Sequence, residues 1–243
     1  TRCSPPPSRP WASRLIDRGD AAVGDARGGS TPAVATSAPD VHRRLPRGRH
    51  DLSREQIEAD QRLRIILGFF SAMTENGYAD TPVAAVIKHA GVSRDTYYRL
   101  FTDKLDGFLA AFDLVADVLV AELRDASDGP GSPLERVERG LTKYLSLLSE
   151  HRGEARLFLV EAFAAGPAAI GRRMAVQQLI ADEIVEVFDS HGEAAPATAR
   201  MIVAAVSSMV VAALIDDDRG AVVALQPEMD AQLRRLRAAG LFD

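Results

Sequence analysis

The chain is poor in the residues that carry covalent, redox or metal chemistry. One of its 243 residues is cysteine, Cys3, so no internal disulfide can form and no thiolate cluster can hold a metal. That usage fits a reducing compartment, and a cytoplasmic location is expected. The five histidines, at 42, 50, 89, 151 and 191, have neither the i, i+4 pairing nor the carboxylate spacing of a metal or catalytic site. No nucleophile elbow, phosphate-binding glycine loop or dinucleotide fingerprint occurs. Asp216, Asp217 and Asp218 are consecutive, which on a helix points them in different directions, and they read as a solvated helix end. The expectation is a chain that is not an enzyme, with no catalytic residue, no metal and no cofactor. No apolar core follows the early arginines, so no signal peptide is expected. No uninterrupted apolar run reaches the length of a membrane span, so a soluble chain without a membrane partner is expected.

Aromatic residues are also scarce, at 6% against 47% hydrophobic residues in all. Alanine, leucine and valine make up most of the apolar content, which favours helices packed through small and branched side chains. Strand-like alternation never persists beyond a few residues, so the fold class is all-α. The net charge of −5 argues against a polyanionic partner only until it is divided. Residues 41–104 carry a net +3 and residues 105–243 a net −9. A basic head on an acidic body is what a phosphate-binding module joined to a domain of another kind shows.

The most structured signal lies at 81–104, TPVAAVIKHAGVSRDTYYRLFTDK. Thr81 is expected to cap a helix with Pro82 at its first position and Val83, Val86, Ile87 and Ala90 on one face. Gly91 ends this helix, and Ser93 caps the next after a turn of about three residues, as in a helix-turn-helix. Around the second helix, Val92, Thr96, Tyr97, Leu100 and Phe101 share the inward half. Arg94, Asp95, Tyr98 and Arg99 form an outward row of hydrogen-bonding groups, the kind of face that suits a polyanion.

Other helices follow from their caps and periods. Ser53 and Gln56 form a capping box for a helix with Leu63, Ile66, Leu67, Phe70 and Met73 on one face, stopping at Asn76-Gly77. Asp103 caps a long helix that runs to Gly129-Pro130-Gly131, and Ser132 with Glu135 opens another that ends near Gly153. A helix over 154–165, one from Gly166-Pro167 to before Gly192, one over 197–215 and a last one over 227–239 complete the series. The 197–215 segment is apolar nearly all round and needs cover on two sides. A second copy of the chain is the natural cover for one of them, which predicts a homodimer. Residues 1–46, rich in Pro, Ser, Gly and Arg, are expected to be a disordered tail. Arg43, Arg44, Arg47 and Arg49 close that region as a basic arm able to reach a groove or phosphates.

The run Ala90-Gly91-Val92-Ser93, then Thr96-Tyr97-Tyr98, then Phe101 and Lys104, resembles the DNA-binding signature of TetR-type transcriptional regulators. The likeness extends upstream through Arg64-Ile65-Ile66-Leu67 and Asn76-Gly77-Tyr78 to Thr81. Leu100 stands where members often carry a phosphate-contacting histidine, and Tyr97 where leucine or phenylalanine is usual. The resemblance implies a three-helix DNA-binding head with the helix-turn-helix at 47–102 and a helical ligand-binding and dimerisation domain at 103–243. It implies a palindromic double-stranded DNA operator and a small apolar ligand as partners. The helix from Asp103, with Lys104 at one end and Phe108 and Phe112 along its length, is expected to couple the two sites. Ser93, Arg94, Asp95 and Arg99 are the recognition-helix positions on the DNA side, the arginines suited to guanine edges and Asp95 to cytosine. Thr81, Thr96, Tyr98 and Lys104 match phosphate-contact positions. Phe108, Phe112, Tyr144, Phe158, Phe163, Met174, Met201 and Gln177, with Gln178 and Glu161 as polar fixtures, are the candidate ligand-lining residues, each of which alone reads as core. The alternatives are a regulator without a ligand, and a helical enzyme or lipid-binding protein with an incidental helix-turn-helix.

Overall fold

The computed structural model describes residues 53–216, 218 and 220–242. The tail 1–46 with its arginine cluster, Cys3, His42 and His50, and also Asp217, lie outside the described residues. Two units are present, 1–60 and 61–243. In the first, Ser53 N donates to Gln56 Oε1 (2.7 Å) and Gln56 N to Ser53 Oγ (3.2 Å), the expected capping box. It opens helix α1, Arg54–Asp80.

In the second unit α1 is followed by α2 (Val83–Ala90), α3 (Arg94–Leu100), α4 (Lys104–Ser127), α5 (Pro133–Glu150) and α6 (Arg152–Leu159).

 Helix α6 thus spans Arg152–Leu159, and a 3₁₀ turn at Glu161–Phe163 leads into α7 (Pro167–Phe188), α8 (Ala195–Ile215), a second turn at Val223–Leu225 and α9 (Gln226–Ala238). The described residues contain no strand. The expected caps are in place. Ser93 Oγ accepts from Thr96 N, Asp103 Oδ1 from Asp106 N, and Ser132 and Glu135 form the reciprocal box. Gly91 ends α2 with φ 63°, the left-handed conformation that glycine adopts without penalty.

Three local expectations are corrected. The N-cap of α2 is Pro82, and the Thr81 hydroxyl turns back to α1 instead, donating to Gly77 O (2.7 Å) and Ala72 O (3.2 Å). Gly153 does not end a helix but lies inside α6, where its missing side chain lets α6 close on Thr74: a Cβ there would lie 2.7 Å from Thr74 Cγ2. Gly77 does break α1, with φ 74° and ψ 173°, although helical geometry resumes to Asp80.

Helix α8 is long and apolar enough to cross a membrane by length and composition. Counting uninterrupted apolar residues misses this because Thr198, Arg200, Ser207 and Ser208 break the run. It is packed as a core helix. Val206, Val210, Ala213 and Leu214 pack with Leu145, Leu148, Ala155 and Met229, while Ala195, Ala199 and Val203 pack with Val137, Ala181, Phe188 and Leu233. Its outward stripe of Ala197, Met201, Ala204, Ala205, Ser208, Ala212 and Ile215 is exposed.

Candidate nucleic-acid interface and body site

The candidate recognition element is α3, seven residues long. Too short to be stable alone, it is held from beneath. Tyr97 is fully buried between Phe69 and Phe101, and its hydroxyl donates to Asp103 O (2.9 Å). Burial pushes this phenol well above the ordinary tyrosine range, so it remains a donor. The hydroxyl that distinguishes Tyr97 from leucine or phenylalanine thus fastens α3 to the start of α4. Gly107 admits the Phe69 ring, since a Cβ there would lie 2.3 Å from it. At the other end of α3, Arg62 donates to Leu100 O (3.5 Å) and lies 4.5 Å from the Phe101 ring centre.

With α3 so fixed, Arg94, Asp95, Tyr98 and Arg99 are exposed, Tyr98 at 45%. The Arg94 guanidinium lies 5.3 Å from the Tyr98 ring centre. Arg99 Nη2 donates to Gln61 Oε1 (2.6 Å). Ser93 and Thr96 hydroxyls meet at 2.9 Å at the start of the helix. These six residues form one polar surface.

The other two positions matched to phosphate contacts do not join it. Thr81 is fully buried with its hydroxyl committed to α1. Lys104 Nζ donates to Tyr78 O (2.8 Å), Thr81 O (3.2 Å) and Ala79 O (3.3 Å), and lies 4.4 Å from the Tyr78 ring centre. Its three protons are spent on carbonyls at the end of α1, so Lys104 is a tie between α4 and α1.

The candidate ligand-lining residues separate into groups. Phe108, Phe112 and Phe158 are buried and share an aromatic cluster with Phe70 and Tyr78, ring centres 4.9–5.8 Å apart. This cluster is filled core that seats α1 on α4 and α6. Phe163 and Met174 are exposed at 53% and 62%, and Met201 and Gln178 are also exposed. Gln177 is half-buried on α7. Glu161 Oε2 accepts from Tyr78 N (3.4 Å) beside Gly77, whose lack of a side chain admits the carboxylate: a Cβ there would lie 3.0 Å from that oxygen.

Tyr144 belongs with a residue that the sequence reading passed over. Arg173, on α7, donates from Nη2 to Ser207 Oγ (2.7 Å) and lies 5.4 Å from the Phe163 ring centre. Burial pushes the Tyr144 phenol up to about 12, opposed by the charge of Arg173. Burial lowers the Arg173 guanidinium, opposed by Tyr144. The signal was present: Ile170, Arg173, Gln177, Ile180 and Ile184 recur at three- and four-residue intervals, so Arg173 shares the inward face of α7 while Met174 is one step round.

No family model and no curated protein sequence matches this chain. Solved structures do match its shape. A transcriptional regulator from Rhodococcus sp. RHA1 is 22% identical with a TM-score of 0.62, covering 73% of this chain and 96% of its own. A TetR-like transcriptional regulator from the same organism is 19% identical with a TM-score of 0.58, covering 77% and 98%. The transcriptional regulator FadR from Bacillus subtilis, solved in complex with stearoyl-CoA, is 18% identical with a TM-score of 0.60, covering 70% and 96%. The chain has the all-α fold of the TetR-family transcriptional regulators.

Proposed function

We propose that the chain is a sequence-specific DNA-binding transcriptional regulator, a homodimeric repressor that leaves a palindromic operator when a small apolar ligand binds its body. The observation that carries this reading is the exposed row Arg94, Asp95, Tyr98 and Arg99 on a helix whose opposite side is locked by Tyr97 and Phe101. Arginine reads guanine edges and aspartate accepts from cytosine, while Ser93, Thr96 and Tyr98 supply hydroxyls for phosphates. The head is 47–102 and the body 103–243. The exposed apolar stripe of α8, with Met201 and Ile215, is the surface that a second copy covers. A two-fold dimer then presents two copies of α3 to half-sites about one helical turn or more apart.

The route from body to head runs through the 3₁₀ turn Glu161–Phe163. Phe163 meets Arg173 in the body, and Glu161 holds the backbone at the kink of α1. A ligand that shifts this turn favours a different pose of the head and lowers operator affinity, typically by about 5–150-fold, with operator weakening ligand by the same factor. The FadR structure holding stearoyl-CoA supports a ligand in this fold. The test is selection from random duplexes followed by competition with bulk DNA. An inverted repeat preferred over bulk DNA is expected; equal binding to all duplexes overturns the reading.

A further inference from the structure

Among the described residues, Arg173 in the body has no anionic partner. Several other arginines of this region have anionic or carbonyl partners. Arg172 pairs with Asp113 (3.3 Å), Arg124 with Glu183 and Arg234 with Glu138 (2.8 Å). Arg152 and Arg156 donate to carbonyls at the end of α8, where the helix dipole is negative. Arg139 Nε likewise donates to Ala126 O near the end of α4. Arg173 instead faces neutral groups: the buried Ser207 hydroxyl, the Tyr144 phenol and the Phe163 ring. Its Nε is buried and has no hydrogen-bond partner. Holding a guanidinium there without a counter-charge is costly.

We propose that Arg173, with Tyr144 and Ser207, receives a single carboxylate at the head of an apolar ligand. The inference rests on the reading above that the body binds a small apolar molecule, and it names the chemical class. A guanidinium whose Nε is unpartnered and whose Nη2 meets only a neutral hydroxyl presents the fork that matches a carboxylate. Tyr144 keeps its proton at neutral pH and can donate a further hydrogen bond. One guanidinium suits a monoanion better than a polyphosphate. The apolar part has matching surroundings, because Tyr144, Val160, Ile202 and Met209 are all partly buried against the core around Val206 and Val210.

The test uses the whole chain in calorimetry and thermal melts with octanoate, palmitate and phenylacetate, each beside its methyl ester. At least one acid is expected to bind, with its ester weaker by about tenfold or more, the loss that a charge-assisted hydrogen bond predicts. The ester comparison needs no variant. Arg173→Met should abolish the preference for acid over ester while raising the melting temperature of the ligand-free protein, because an unanswered buried charge has been removed. Arg173→Lys should restore part of the preference. No acid bound at millimolar concentration, ester bound as tightly as acid, or Arg173→Met that keeps the preference overturns the inference. A chain that prefers one inverted repeat yet binds no acid loses this inference and keeps the regulator reading. A chain that binds acid but ignores DNA sequence keeps the inference and loses the regulator.

Discussion

Two surfaces of this chain are equally open to solvent and opposite in chemistry. The outward side of α3 carries Arg94, Asp95, Tyr98 and Arg99, whereas the outward stripe of α8 carries Ala197, Met201, Ala204, Ala205, Ala212 and Ile215. Water satisfies the first surface and not the second, so the first can be complete in a single chain while the second calls for cover. Exposure alone therefore does not define a site. The chemistry of what is exposed divides the face proposed for a polyanion from the face proposed for self-association.

The largest way to break this comparison is to give α8 the chemistry of α3. Met201, 67% exposed, replaced by glutamate should place an unpaired charge in the proposed interface at a cost of about 3–5 kcal/mol. Light scattering should show monomers, and operator binding should be lost with the fold intact by circular dichroism. Val206 and Val210, on the same helix, are unsuitable for this purpose. Both are buried in the chain's own core, so a charge there attacks the monomer.

A smaller effect is expected on the other surface. Arg94→Ala should cost about 1–3 kcal/mol of specific DNA affinity and relax preference at one base pair. Arg99→Ala should cost less, because Gln61 already engages its Nη2. Binding to selected and single-mismatch duplexes measures both. Uniform weakening across all duplexes would move Arg94 from base reading to phosphate contact.

Smaller again is the contrast between a cation aimed outward and one aimed inward. Lys104→Met should destabilise the fold by about 1–2 kcal/mol through its carbonyl bonds. Denaturant unfolding measures that loss, and the salt dependence of DNA binding should keep its slope, since no phosphate contact is removed. The smallest effect is expected from Glu161→Gln, which keeps the shape of the contact to Tyr78 N but not its charge. Stability should change by less than about 1 kcal/mol, while the factor by which ligand lowers operator affinity falls. An unchanged factor would remove Glu161 from the route between body and head.

The helix series and most of its caps were legible because they rest on local chemistry, although α1 runs on past Gly77 and the helix expected over 154–165 is α6 with a 3₁₀ turn after it. Gly91, Ser93, Asp103 and the Ser132–Glu135 box act within a turn of their own backbone, and no distant residue is needed to place them. The inward Tyr97 and the outward Arg94, Asp95, Tyr98 and Arg99 of α3 were legible too, from a clear helical phase, whereas Thr96, expected inward, joins the polar surface through Ser93. Helix α8 has no such phase. Being apolar all round, its sequence does not say that Val206 and Val210 face the chain's own core and Met201 faces out; only the packing of α5, α6, α7 and α9 around it decides that. The same limit governs the charges. Arg173 and Met174 are neighbours in the chain, yet one reaches Ser207 and the other solvent. Lys104 looks like any cation beside a recognition helix until α1, kinked at Gly77, brings three carbonyls to its ammonium. Caps and turns were set by the sequence itself because their partners are three or four residues away. The destination of each long side chain was set by tertiary structure, because its partner lies on another helix.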